Sequence, residues 1–156
     1  LKPSVYLETT VPSLLTAWPS RDILVAGQQQ ATRDWWDERR RKYRLCISGL
    51  VLLECRRGDS AAVREREAVL NSCEVLHYSD AARDLAEKLI ESRLLPAKAA
   101  VDAAHIAIAS VHQMDYLLTW NCRHIANAAI VEDVRALCSD AGHPAPVICT
   151  PLELML

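Results

Sequence analysis

Ser4-Val5-Tyr6-Leu7-Glu8-Thr9-Thr10 is the stretch that decides how this chain folds. Its apolar run suits a strand buried on both faces, and residues 2–8 are read as that strand. Thr9-Thr10 then leads into Pro12, whose fixed φ suits the first turn of a helix. A strand followed at once by a helix is the opening unit of an α/β fold. Glu8 falls at the carboxyl end of the strand, where open parallel sheets bind their ligands.

The alternation continues outward from this unit. Residues 21–43 carry helix-favouring Ala, Gln, Arg and Glu without proline, and Gly27 marks an expected break. Leu45-Cys46-Ile47 predicts a short buried strand, Ser48 the cap of a helix bearing Glu54, and Gly58 its close. A charged helix over 60–71, a strand over 74–78 and a helix capped by Ser79 follow, the last with Ala82, Leu85, Ala86 and Leu89 at helical spacing. Beyond Pro96, residues 98–112 predict a helix burying Val101, Ala104, Ile108 and Val111. A strand over 115–120, a helix over 125–140 and a strand over 146–150 complete the pattern. The expectation is one domain, residues 1–156, built as a three-layer α/β/α sandwich around a central parallel sheet.

Composition agrees with a globular chain: 51% of the residues are apolar and 24% charged. The longest apolar stretches are broken by charge well before the ~18 residues that a spanning helix needs. Nothing at the start resembles a signal peptide, so no membrane association and a cytoplasmic location are expected. Six cysteines include no C-x-x-C pair and mostly lie in apolar segments, which predicts buried free thiols. Net charge is −2, so any polyanion has to be met by local patches. Arg39-Arg40-Arg41-Lys42 with Arg44 is the densest of these, and equally suits a solvated helix end.

Four polar residues fall where such a fold collects chemistry. Glu8 and Asn121 end the first and fourth predicted strands, while Glu54 and Asp102 interrupt apolar helical stretches. A carboxylate in apolar surroundings needs a partner, and a shared divalent cation would offset the repulsion among several. Singly, Glu54 also suits a solvated helix surface, Asp102 a pairing with Lys98, and Asn121 a turn. His105 lies three residues after Asp102 on the same helix face, placed either to hold Asp102 or reach a phosphate, or to pack in the core. Arg123 and His124 are candidate contacts to a phosphate backbone or the start of the next helix. Thr9 and Thr119 are candidate hydrogen-bond donors to the carboxylates, to a metal-bound water or to substrate, and equally suit ordinary strand-end positions.

Taken together, Val5-Tyr6-Leu7-Glu8-Thr9-Thr10, Ser48 with Glu54, Val101-Asp102-Ala103-Ala104-His105-Ile106-Ala107 and Leu117-Leu118-Thr119-Trp120-Asn121 resemble in order and spacing the PIN domain, especially VapC-type toxins of bacterial toxin–antitoxin pairs. The last two blocks together are the most specific. The resemblance implies a Mg²⁺- or Mn²⁺-dependent ribonuclease with Glu8, Glu54, Asp102 and Asn121 as catalytic metal ligands. It also implies a homodimer and a small antitoxin that lies along the groove and inserts a basic side chain at the acidic site. Glu8 stands where the family usually has Asp, and Asn121 where it often does.

Two other readings use the same residues. In one, the altered acids leave a catalytically attenuated PIN fold that binds RNA or a protein partner. In the other, the chain is a phosphatase of the phosphoaspartate type, but that chemistry needs Asp as the nucleophile on the first strand, where this chain has Glu8.

Overall fold

The computed structural model describes residues 1–155. Five strands form one parallel sheet: β1 (Ser4–Leu7), β2 (Arg44–Ser48), β3 (Glu74–Leu76), β4 (Tyr116–Leu118) and β5 (Val147–Cys149), in the spatial order β3-β2-β1-β4-β5. The helices are α1 (Thr10–Thr16), α2 (Ile23–Glu38), α3 (Gly49–Cys55), α4 (Ser60–Leu70), α5 (Asp80–Glu91), α6 (Ala100–Val111) and α7 (Val131–Asp140), with 3₁₀ turns at Arg40–Lys42 and Ala97–Ala99.

The strand order dictates the layers. From β1 to β3 the chain steps in one direction across the sheet, then returns past β1 to β4 and β5. Right-handed crossovers therefore put α1–α4 on one face and α5–α7 on the other. The packing agrees, with α1 against α2 and α4, and α5 against α6 and α7. At β1 and β4, neighbouring strands send their connections to opposite faces, which opens a crevice at their carboxyl ends. Glu8 follows β1 there, and Thr119-Trp120-Asn121 follow β4.

Several elements depart from the sequence expectation for local reasons. Gly27 does not break α2, which runs through it from the Asp22 cap; Asp22 accepts from the amides of Leu24 and Val25. Ser48 occupies the cap position of α3 but makes no cap bond, because its hydroxyl is taken by Tyr6. Residues 125–130 are not helical: Asn121 and Asn127 accept local backbone N–H groups and hold turns until α7 begins. In α6 every residue from Ala103 to Ser110 is buried, whereas Val101 is 45% exposed, so the predicted stripe was too narrow and began too early. An almost uniformly apolar helix between sheet and α5 is covered nearly all round.

Among the described residues every cysteine is free, four are buried, and Cys122 is exposed. No described helix is long and apolar enough to cross a membrane.

The amino ends of β1 and β4 are locked by one side chain. Asp115 Oδ2 accepts from the Ser4 amide (2.7 Å) and hydroxyl (2.8 Å), and the Asp115 amide donates to Ser4 Oγ at 3.0 Å. These bonds hold the Asp115 pKa below the usual carboxylate value. A depressed pKa stabilises the fold above the unfolded value, about 3.9, and that contribution is lost as pH falls through the lower folded value. Asp115→Asn is expected to cost about 1 kcal/mol at pH 7, a modest figure because the carboxylate is open to solvent. Urea unfolding at several pH values checks this: the gap between variant and wild type closes below about pH 4.

Candidate active site

Glu8 follows β1 and is a buried residue, only 3% exposed. Its Oε2 accepts from the hydroxyls of Thr10 (2.5 Å) and Thr119 (2.7 Å) and from the Thr10 amide (3.2 Å). Each threonine does double duty, since Thr10 Oγ1 also accepts from the Trp120 amide and Thr119 Oγ1 from the Asn121 amide. The hydroxyls thereby tie the loops after β1 and β4 to one carboxylate oxygen. Oε1 receives no hydrogen bond from any described residue.

Glu54 reaches the same crevice from α3. Its Oε1 accepts from the Thr9 hydroxyl at 2.7 Å and lies 2.8 Å from His105 Nε2. Burial opposes ionisation of this carboxyl, but the bonds from His105 and Thr9, with the charges of His105 and Arg57, outweigh it and lower its pKa. His105 is wholly buried, and its Nδ1 is 2.7 Å from the Tyr6 hydroxyl, itself 2.7 Å from Ser48 Oγ. Of the positions open to His105, the structure has the buried one: the ring is inaccessible to a phosphate and bound to Glu54 rather than to Asp102.

Asp102, in the first turn of α6, pairs with His124 Nδ1 at 2.9 Å, not with Lys98. Asn121 Oδ1 accepts the His124 amide at 3.0 Å, so Asn121 shapes the turn that carries the histidine. Arg123, beside it, is exposed.

Glu8 and Glu54 line one cleft of about 350 Å³, together with Thr9, Thr10, Gln28 and Trp120. Trp120 is pinned in its wall by donating to Thr32 of α2 at 2.8 Å. A larger, open groove of about 730 Å³ lies between α5 and α7, but its Lys88, Glu91, Asp133 and Asp140 have no comparable buried network. Convergence of held polar groups decides the site, not volume. Among the described residues no three His, Cys, Asp or Glu side chains stand close enough to hold one ion together. The basic run at 39–44 directly precedes β2, so it lies at the amino edge of the sheet, opposite this cleft.

Sequence reasoning found the acids and the two threonines that bind them, Thr9 and Thr119. It missed Thr10, Tyr6 and Ser48 as polar partners, and it did not pair His124 with Asp102. Two threonines after an acid at a strand end were the available signal for Thr10. For Tyr6 there was none, because a tyrosine inside an apolar strand reads as core.

No family model matches the chain, and no curated protein does. A solved structure does: the chain is similar to one in the VapBC2 complex of Rickettsia felis, bound to a DNA fragment from its promoter. The match has a TM-score of 0.61 and covers 94% of this chain and 97% of that one at 12% identity. The fold is PIN-like. At that identity the likeness establishes the PIN-like fold and leaves the chemistry to the side chains.

If Asn121 serves the turn, Asn121→Ala costs about 1 kcal/mol of stability, as for a lost cap. Asn121→Asp keeps the acceptor and is expected to stay within about 0.5 kcal/mol of wild type. Denaturant titration of both variants measures the difference, and equal losses would remove the turn role.

Proposed function

We propose that this chain is a metal-dependent endoribonuclease of the PIN type. The observation that carries the reading is the pair of carboxylates, Glu8 and Glu54, on one cleft at the sheet's reversal point. Each spends one oxygen on protein donors and keeps the other without one. Two hard oxygen donors fit Mg²⁺ or Mn²⁺, which bind through one or two carboxylates and otherwise keep water. Asp102, through Oδ1, and Asn121, through its amide oxygen, are the further proposed ligands. When bound, the ion supplies Lewis acidity, which lowers the pKa of water and offsets charge at the phosphate.

The residues of the chain have their own tasks. The threonine hydroxyls hold Glu8 and Glu54 in orientation, and Trp120 offers a flat wall on which a base can stack. Arg123, exposed just beyond Asn121, is the proposed contact to an RNA phosphate.

A small antitoxin is the proposed partner. Trp18, Ile23 and Leu24 are 91%, 85% and 76% exposed around the α1–α2 connection, whose flanking Leu14 and Gln28 line the acidic cleft. An apolar rim beside two carboxylates suits a partner with apolar anchors and one basic side chain. A homodimer is proposed on the family resemblance alone.

One observation favours a second reading, an attenuated PIN fold that binds RNA or protein without turnover. Asp102 and Asn121 both engage His124, and no three ligating side chains converge among the described residues.

Incubating the purified protein with total RNA, with and without Mn²⁺, separates the two. On the nuclease reading, cleavage requires the ion, and Glu8→Ala, Glu54→Ala and Asp102→Ala each reduce it by roughly 100-fold or more. RNA retained on a filter but left intact at saturating Mn²⁺ selects the attenuated reading instead.

A further inference from the structure

We infer that His105, backed by Tyr6 and Ser48, is the positioning residue for Glu54: a buried chain of hydrogen bonds from the sheet core that aims one carboxylate into the cleft. The inference rests on the proposed cleft site and assigns a role to residues that touch neither substrate nor ion.

The geometry is continuous. Ser48 Oγ to Tyr6 Oη is 2.7 Å, Tyr6 Oη to His105 Nδ1 is 2.7 Å, and His105 Nε2 to Glu54 Oε1 is 2.8 Å. All three supporting side chains are fully buried. They come from β1, the end of β2 and α6, so the chain links the sheet to the helix behind it and ends on α3.

Proton counting fixes the direction at the end that matters. An ionised carboxylate only accepts, so Nε2 carries the proton and donates to Glu54. The Tyr6 phenol, held protonated by burial, then either donates to Nδ1 while Ser48 donates to it, or accepts from Nδ1–H and donates to Ser48. Both arrangements satisfy every member and leave the same N–H on Glu54. The Thr9 hydroxyl reaches the same oxygen from the loop side. Glu54 is therefore gripped at Oε1 from two directions, and Oε2 is the oxygen left for the cleft.

The cost of such an arrangement makes a packing role alone a poor account of it. A tyrosine, a histidine and a serine in the interior require complete pairing, where three apolar side chains would need none. Ser48 also gives up the cap of α3 to join the chain.

The test is a Mn²⁺ titration followed by thermal shift, on wild type, Glu54→Gln, His105→Leu, His105→Gln, Tyr6→Phe and Ser48→Ala. Partners behind a metal ligand are worth about 10–100-fold in affinity, so His105→Leu and Tyr6→Phe are expected to raise the Mn²⁺ midpoint by that factor. His105→Gln, which keeps an N–H within reach of Glu54, recovers most of the loss. Unchanged midpoints in His105→Leu and Tyr6→Phe, beside a weakened Glu54→Gln, overturn the positioning role and leave the cleft site standing. A full response in Glu54→Gln overturns the cleft site instead. A metal-free measurement keeps the two separate: ¹⁵N-edited NMR of wild type is expected to show a protected His105 Nε2–H signal that moves in Glu54→Gln and in Ser48→Ala. No protected Nε2–H signal, or one indifferent to Glu54, overturns the inference whatever the metal does.

Discussion

A carboxylate placed almost out of reach of water at the junction of two strands is the constraint around which this end of the molecule is arranged. Burying an ionised group without partners costs several kcal/mol, enough to cancel much of a small domain's stability. Glu8 avoids that cost through two threonines, one from each loop, each with a single proton to give and lone pairs to spare. Those lone pairs take the amides of Trp120 and Asn121. The loop after β4 is consequently shaped by the charge after β1. Branching at Cβ restricts the threonine rotamers, so the donors arrive already aimed.

The three acids are stabilised separately before anything binds. Glu8 has hydroxyls, Glu54 has His105 and Thr9, and Asp102 has His124. Carboxylates crowded into one site would drive at least one pKa upward. Glu54 moves the other way, because its hydrogen bonds and nearby positive charge exceed the burial penalty. Local pairing thus gives each acid its own donors, and each still holds one oxygen with no protein donor.

Much of this was legible in the sequence, and the limits have a physical pattern. The parallel sheet and its two helical layers follow from the alternation of apolar runs with capped helices, because strands buried on both faces need helices on each side; the strand order has no such local mark. The acids were visible because a charge at the end of an apolar run is locally improbable. What the sequence hid were pairings with no local signature. Tyr6 and His105 lie 99 positions apart and Thr119 and Glu8 lie 111 apart, so nothing near either residue announces the bond. Helical spacing makes His105 a neighbour of Asp102 and leaves a core position equally open; the ring turns to the sheet, where it meets Tyr6 and Glu54. The short α7 has the opposite cause, since Asn121 and Asn127 satisfy backbone groups locally and delay the helix.

The sheet also separates charge along its strands. Acids collect at the carboxyl edge, while Arg40, Arg41 and Lys42 precede β2 at the amino edge, with Arg40 laid over Trp36. With a net charge of −2 and its densest cations on the far side, the chain does not draw a polyanion to the cleft by long-range attraction. On the ribonuclease reading, recognition at the cleft then depends on short-range contacts: the Trp120 face, the exposed Arg123 and the loops that the threonines hold. Such contacts respond to shape and local sequence more than to ionic strength. On the same reading, a cleft that repels bare phosphate and accepts it only with a cation and a fitting strand would gain selectivity from the very carboxylates proposed to supply its chemistry.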